Sequence, residues 1–390
     1  MTAKTAGNMS EIKIQVLRAI AEISADSWNA LANPDISKFD PFISHQFLQA
    51  LEQSGSVGEG SGWLSCHIIA ENNRGDVIGA MPLYLKSHSQ GEYVFDHGWA
   101  TAYENAGGQY YPKLQSCIPF TPVTGARILA QDPKVRQQLV AAVQEVTGRF
   151  GASSAHVTFA NPQDANELAN AGWLKRNDLQ FHFENQSYEN YDDFLSKLTS
   201  RKRKAIRTER KKANQNVQIV ALSGDDLTSE HWDAFYEFYL DTGARKWGQP
   251  YLNRHFFELL HQSMDKHILL IMAKTEDKWV AGALNFIGGD CLYGRYWGCV
   301  ANYDSLHFEL CYHRAIEAAI ELGLSRVEAG AQGSHKIARG YLPVQTCSYH
   351  FIPDLGFANA VQNFLAEERA AIKQQQMQYL SISPYRQSAT

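Results

Sequence analysis

The chain has no C-x-x-C pair, and its six cysteines, Cys66, Cys117, Cys291, Cys299, Cys311 and Cys347, are scattered, most of them among apolar or aromatic neighbours. Such spacing offers no disulfide framework, and the thiols read as reduced core residues. Long apolar runs are missing as well. Stretches such as 268–273 (ILLIMA) fall far short of the ~20 residues needed to cross a bilayer. The first ten residues are polar and lack the apolar core of a secretion signal, so the expected location is the cytoplasm. No G-x-S-x-G, Walker loop or dinucleotide fingerprint occurs. What is present is the composition of a folded protein: 390 residues, 44% hydrophobic, 12% aromatic and 20% charged. That suffices for two or three domains with cores of their own and excludes disorder and collagen-like repeats.

The formal net charge is −5, but it is unevenly spread. Residues 201–212 (RKRKAIRTERKK) hold eight Lys/Arg and one Glu, a local +7, while 28 basic and 40 acidic residues elsewhere sum to −12. A run this dense repels itself unless an anion meets it. It is therefore either a phosphate-binding surface or a solvated helix face.

An internal repeat organises the rest. Residues 63–70 (WLSCHIIA), a polar turn at 71–76 and 77–85 (VIGAMPLYL) form a hairpin pattern, repeated by 267–273 (HILLIMA), 274–278 and 279–287 (WVAGALNFI). Each pair is followed by an aromatic strand, 92–99 (EYVFDHGW) and 291–299 (CLYGRYWGC), then by an amphipathic helix, 132–150 and 305–323. The second helix has an apolar stripe at Phe308, Cys311, Tyr312, Ala315, Ile316 and Ala319. A short strand (155–159, 325–329), a small helix (165–171, 335–339) and a closing strand (179–183, 346–352) complete each half. Such strand-helix-strand crossovers imply parallel neighbours in a mixed α/β sheet. Residues 188–214 read as helical and join the halves, and 357–379 read as a polar C-terminal helix.

This order, taken twice, resembles two Gcn5-related N-acetyltransferase (GNAT) domains in tandem, as in FemAB-like peptidyltransferases and the leucyl/phenylalanyl-tRNA-protein transferase. The residues that carry the resemblance are 292–298 (LYGRYWG), 307–312 (HFELCY) and 330–339 (GAQGSHKIAR) with Gly340, Tyr341 and Pro343. They are similar to the bacterial FemAB-like group of predicted peptidoglycan-related N-acyltransferases, over about Pro41 to Arg369. The resemblance implies an α/β fold of two GNAT-like domains, 1–187 and 188–390, the second carrying the basic linker helix and the C-terminal helix. It also implies acyl transfer to an amine, from an acyl-CoA or aminoacyl-tRNA co-substrate, with no permanently bound cofactor. Acetyl-CoA users of this fold cradle pyrophosphate on a Gly-rich loop before the central helix. Here that loop is 300–306 (VANYDSL), without glycine and with Asp304, where an acid repels phosphate and Asp or Ser is expected to cap the helix.

Amine acylation needs a proton acceptor, donors for the oxyanion and a stabilised leaving group. Alternation in 291–299 puts Arg295 between Tyr293 and Trp297 on one face and Gly294, Tyr296 and Gly298 on the other. Tyr296 then either donates into a glycine-lined groove or packs against a helix. Glu328 alternates with Val327 and Ala329, so it is either a general base of raised pKa or the partner of an arginine such as Arg295 or Arg339. Gln332 is placed to orient an amine or carbonyl and His335 to shuttle a proton, while Lys336 and Arg339 suit a phosphate or carboxylate. His307 is the better candidate in the first helical turn, because Glu309 shares a solvated face with His313 and Glu317. His307 with Cys311 lacks supporting metal ligands, so no metal is expected. In the first half, 96–112 is an aromatic, Gly-rich loop whose Tyr103, Glu104, Asn105, Tyr110 and Tyr111 are candidates for walling an acceptor cleft.

The leading expectation is an acyltransferase in which Glu328 or His335 takes the amine proton, Tyr296 and Gln332 polarise the acyl group, and Lys202, Arg203 and Lys204 hold donor phosphates. Its partners are a small-molecule or peptide amine and, as a candidate, tRNA; neither DNA nor a membrane span is expected. Two alternatives stand beside it. One is a non-catalytic tRNA- or envelope-precursor-binding protein with a degenerate GNAT fold. The other is a CoA enzyme whose basic run is only a solvated helix.

Overall fold

The computed structural model describes residues 12–246, 250–301, 303–330 and 333–386. Its strands are β1 Lys13–Leu17, β2 Trp63–Ser65, β3 His67–Glu71, β4 Val77–Met81, β5 Tyr84–Lys86, β6 Lys113–Ser116, β7 Ala155–Val157, β8 Leu174–Glu184, β9 Gln218–Leu222, β10 Ile268–Thr275, β11 Lys278–Ile287, β12 Cys291–Cys299, β13 Arg326–Glu328 and β14 Leu342–Phe351. Eleven of them form one sheet in the order β2-β5-β6-β7-β14-β8-β13-β12-β11-β10-β9, and β1, β3 and β4 form a small second sheet. The mixed α/β expectation holds, and the acetyltransferase-like order of elements occurs twice. In the second half it runs β10, β11, β12, the central helix at 306–321, β13, the loop helix Ser334–Arg339 and β14.

The halves are joined by an exchange of closing strands. β8, the last strand of the first half, pairs with β13 of the second along one edge and with β14 along the other. The β8–β14 ladder runs through nine residue pairs, and β14 lies in turn against β7. The sheet is covered on both faces even next to its edge, which is why β10 reads as an unbroken apolar run with Ile268 to Ala273 all buried. One face of the sheet packs Phe42, Phe47, Trp232, Phe286 and Tyr293. The other packs Leu292, Leu310, Ile316, Val327 and Tyr341.

Local chemistry explains the helices. Pro133–Arg149 begins with Asp132 accepting from the Lys134 amide and Pro133 in the first turn, then buries Val135, Leu139, Val143 and Val146 at helical spacing. Leu355–Ser381 starts with Asp354 accepting from the Phe357 amide, and Phe357, Val361 and Leu365 bury one stripe of its first turns. Each such buried side chain contributes about 1.5–3 kcal/mol. The segment 188–214 forms two helices, Tyr191–Lys197 and Ser200–Ala213.

Two expectations are corrected. Residues 92–99 are not a strand: Glu92 and Asp96 are buried and both accept from the Lys113 ammonium, Tyr93 has φ +61°, and helix His97–Asn105 follows at once. The third strand of the first half is β6 instead, which pairs in parallel with β7 as β12 does with β13. Residues 63–70 and 77–85 are each divided between the two sheets, because the chain crosses from one sheet to the other around Cys66, whose amide donates to the Leu83 carbonyl.

Gly298 shows how closely the second half is packed. A Cβ there would lie 2.1 Å from the Phe238 carbonyl oxygen, on the backbone of helix Ser229–Lys246. Gly298→Ala should therefore lower stability by about 1–3 kcal/mol, read as a lower melting temperature. An unchanged midpoint would show that the helix moves aside freely.

Candidate active site

The candidate site is a notch in the large sheet. β12 and β13 run parallel through only three pairs, Cys291↔Arg326, Leu292↔Val327 and Tyr293↔Glu328, and then part. A bulge coincides with the parting. β11 pairs Leu284 with Tyr296 but Asn285 with Gly294, so Arg295 is an extra residue. The bulge corrects the expected alternation. Tyr293 and Tyr296 pack on one side of the sheet, whereas Trp297 lies on the other, with its ring 5.2 Å from that of His307. Gly294 brings the notch against a neighbouring side chain. A Cβ there would stand 3.3 Å from Asn285 Oδ1, a buried atom without a hydrogen-bond partner among the described residues.

Glu328 sits at the last shared pair. Its Oε1 accepts from Arg326 Nε at 3.2 Å, and Arg326 also reaches Asp290. The arginine partner is thus its own strand neighbour, because Arg295 and Arg339 are occupied elsewhere. Glu328 Oε2 is buried with no partner among the described residues, and burial raises the carboxyl pKa against the opposing pull of Arg326. His182, opposite Glu328 on β8, has its pKa pushed down to about 3 by burial and by Arg326 and Lys336. It is therefore neutral and bonds Gln180 Oε1 at 3.2 Å, and its 3.9 Å approach to Glu328 is not an ion pair.

Lys336 is 1% exposed, and its Nζ donates to the Gly330 carbonyl at 2.8 Å, just beyond the parting of the strands. Burial lowers its pKa to about 7. His335 Nε2 lies 3.0 Å from the Tyr312 hydroxyl, beside Phe308. Glu328 and the Lys336–Gly330 bond thus lie at the parting of the strands, while His335, Trp297 and His307 group around Tyr312 and Phe308 on the face that holds Val327. Gln332 lies outside the described residues.

Other sequence-predicted residues are placed differently. Arg295 Nη2 and the Tyr296 hydroxyl both donate to the Phe120 carbonyl, at 2.7 and 3.3 Å, so these two side chains staple the halves together and Tyr296 does not project into an open groove. Arg339 is held by Glu209 and stacks 3.5 Å over Phe308, leaving no free fork for a phosphate. Tyr103 stacks on Phe357 at 4.4 Å, in a groove of about 790 Å³ between helix His97–Asn105 and the C-terminal helix. Tyr111 bonds Ser89 and Glu104 is exposed, so this group is not brought to the notch. Lys202, Arg203 and Lys204 lie in the first turns of helix Ser200–Ala213. There Arg203 and Lys204, with Arg207 and Lys211, ring a shallow concavity of about 570 Å³.

The central helix also differs from expectation. Glu309 and His313 are fully buried rather than solvated, in a π-helical turn at Glu309–His313. Arg210 of the basic helix bonds Glu309 at 2.9 Å and Glu317 at 2.7 Å, and Glu209 bonds His313 at 2.7 Å. At the helix start neither Asp304 nor Ser305 caps: Ser305 has φ +62° and its hydroxyl donates to Asp304 instead.

The first half has no equivalent opening among the described residues. Beyond the β6–β7 pairs, Gly125 re-enters in parallel with Ala160, its amide donating to the Phe159 carbonyl at 3.1 Å. Arg127 is completely buried there, and Asp164 accepts from the Arg127 and Ile128 amides and from Arg136. Sequence reasoning missed Asn285, His182 and Glu209. Asn285 was signalled as the single polar residue of an otherwise apolar stretch (AGALNFI), and His182 by its place between two phenylalanines (QFHFE). Glu209 was signalled by being the one acid in the basic run.

A model of the FemAB-like family, described as peptidoglycan biosynthesis/recognition, matches residues 19–387, and the chain belongs to that family. No curated protein matches it. Among solved structures it is similar to FemX at 12% identity and TM-score 0.56, over 87% of this chain and 98% of that one. It is also similar to the C-terminal domain of a putative lysylphosphatidylglycerol synthetase from Agrobacterium fabrum, at 9% identity and TM-score 0.54, over 90% and 97% of the two chains. A conserved protein of unknown function from Bacteroides thetaiotaomicron matches at 11% identity and TM-score 0.52, over 87% and 99%. At these identities the likeness concerns the fold. Among the described residues no helix is long and apolar enough to cross a membrane, and no group of three His, Cys, Asp or Glu could hold a metal ion.

Glu209 also generates a stability prediction. Burial opposes its ionisation, but hydrogen bonds from His313 and Arg339 outweigh burial and hold its pKa down to about 2, below the ordinary 4.5. A carboxyl depressed on folding stabilises above its unfolded pKa and loses that contribution as pH falls through the folded one. The melting-temperature gap between wild type and Glu209→Gln should be widest above pH 4.5 and close toward pH 2. A gap independent of pH would remove ion pairing as its cause.

Proposed function

We propose that this chain is an N-acyltransferase that moves an acyl or aminoacyl group from a CoA thioester or an aminoacyl-tRNA to the amine of a small-molecule or peptide acceptor. The carrying observation is the open β12–β13 notch, where Glu328 Oε2 is unpartnered and the buried Lys336 ammonium makes its one hydrogen bond among the described residues to a carbonyl. Buried polar groups are ordinarily satisfied. A notch that leaves an acceptor and a cation with unused capacity suits a substrate that supplies both an N–H and a developing oxyanion.

In this reading the amine nitrogen attacks the donor carbonyl and its proton passes to Glu328. Lys336 stabilises the oxyanion and gives a proton to the leaving oxygen or sulfur as the C–O or C–S bond breaks, so that the donor departs as a hydroxyl or thiol. His335 and His307 line the approach. The chemistry belongs to the second of two halves, 1–187 and 188–390, because the corresponding opening in the first is filled by Gly125 and Arg127. The outward cations of the basic helix, Arg203, Lys204, Arg207 and Lys211, receive donor phosphates. The family description supports a peptidoglycan-related acceptor. The exposed cations also favour one alternative, a tRNA-binding protein without catalysis. Charged tRNA that binds but never transfers its acyl group would establish it.

Glu328→Gln should reduce turnover roughly 100-fold or more while circular dichroism shows the fold kept, and full activity would remove Glu328 as the base. Because Lys336 must be protonated to act, the rate should fall as pH rises through about 7. Lys336→Arg should move that limb upward, and a profile unchanged by the substitution would exclude the role.

Replacing Lys202, Arg203 and Lys204 together with Ala should weaken donor binding and flatten its dependence on salt, since a protein that neutralises fewer phosphates releases fewer counterions on binding. An unchanged salt slope would detach the helix from the donor. Thermal stabilisation by acetyl-CoA alone, insensitive to these substitutions, would make CoA the donor carrier.

A further inference from the structure

We propose that Glu209 is a positioning residue for the transfer step: it seats the loop helix Ser334–Arg339, and with it the Lys336 ammonium, against the same helix that faces the donor. This rests on the acyltransferase reading. Glu209 points inward, on the side of the basic helix that also buries Ile206 and Ala213. Its Oε1 accepts from Arg339 Nε at 2.9 Å and meets His313 Nε2 at 2.7 Å, while Oε2 accepts from Arg339 Nη2. Arg339 in turn donates to the His335 carbonyl at 2.8 Å and covers the Phe308 ring. One carboxylate thus ties together the basic helix, the π-turn of the central helix and the loop helix.

The loop helix needs such a tie. It is six residues long and bounded by Gly333 at φ +119° and Gly340 at φ +96°, backbone conformations that side-chain-bearing residues rarely adopt. So short a helix is not stable alone, and its orientation falls to side-chain contacts. Lys336 anchors it to Gly330, His335 to Tyr312, and Arg339 to Glu209. Of these anchors only Glu209 belongs to the donor-facing helix, where Arg207 and Lys211 stand two residues to either side of it on the outer face. An anion drawn to those cations and the placement of Lys336 therefore share one rigid element.

The test is steady-state transfer from alanyl-tRNA or acetyl-CoA to a soluble peptidoglycan precursor with a free side-chain amine. Glu209→Gln should lower kcat roughly 10- to 100-fold, the scale of a misplaced catalytic group, with the donor KM within about twofold. Arg203→Ala with Lys204→Ala should do the reverse. Arg339→Lys keeps the charge and loses the fork, so its kcat loss should not add to that of Glu209→Gln in the double variant. Wild-type kcat in Glu209→Gln, or additive losses in the double variant, would overturn the positioning role. Should Glu209→Gln not fold, the Arg339→Lys variant decides by the same kcat and KM split. A wild type inert with both donors would overturn the transferase reading and this inference together, whereas an active wild type with an indifferent Glu209 overturns only the latter.

Discussion

The rest of the structure depends on β8. Because this strand closes the first half while lying between β13 and β14 of the second, neither half has a complete sheet of its own. Its nine-pair ladder with β14 is long for such a sheet, and side chains on successive residues alternate faces, so a slip by one would move Phe181 and Phe183 to the face that now takes Gln180 and His182. Register is thereby firmly set. The same register places His182 opposite Glu328, so the carboxyl at the notch owes part of its low-polarity setting to a strand from the other half.

Once the sheet is continuous, the two halves need not be equivalent. Both contain a short parallel pair that parts after three residues, β6 with β7 and β12 with β13. In the first, the chain returns through Gly125, where a Cβ would lie 2.6 Å from Asp40 Oδ2, and the gap is closed by backbone bonds and the buried Arg127. In the second, a bulge at Arg295 coincides with the parting, and β12 and β13 share no further pair among the described residues. The helices that follow differ in the same sense. Pro133–Arg149 starts on an Asp132 cap, whereas the central helix starts at an uncapped Ser305 in a left-handed conformation. That asymmetry is the ground for assigning the proposed chemistry to the second half.

Much of this was legible in the order of elements. Hairpins, amphipathic helices and closing strands follow from apolar periodicity, which reports burial directly. Periodicity fails where burial is polar. Residues 92–99 look like an aromatic strand because Tyr93, Val94, Phe95 and Trp99 are spaced like one, yet Glu92 and Asp96 bind the buried Lys113, and the segment turns around that ammonium. Glu309 and His313 look like a solvated face because, apart from Arg314 at 2.9 Å from Glu309, the partners that let them be buried, Arg210 and Glu209, are about a hundred residues away. The bulge at Arg295 is likewise invisible to strict alternation, and it moves Trp297 to the opposite side of the sheet from Tyr293. Glu328 stands out in the sequence because a carboxylate in a short apolar strand is expensive unless paired or used, and the structure buries it against Arg326; His335 and Lys336 stand out instead as polar residues of a glycine-bounded loop.

The basic helix shows why a dense run of one sign need not be either of the things it first suggests. Eight cations in twelve residues would destabilise a helix wholly in solvent, since like charges three and four residues apart repel. Here the run is divided by face. Arg210 is drawn inward, its guanidinium over the Tyr191 ring and bonded to Glu309 and Glu317, where it neutralises two acids of the central helix. Glu209, beside it, does the converse for Arg339 and His313. These adjacent residues of opposite sign fix the helix's rotation about its axis, because turning it would strand both a buried cation and a buried anion, each worth several kcal/mol once unpaired. With the rotation fixed, Arg203, Lys204, Arg207 and Lys211 have no choice but to face outward together. The surface charge is thus imposed from the inside: it is the remainder left after the buried pairs are satisfied.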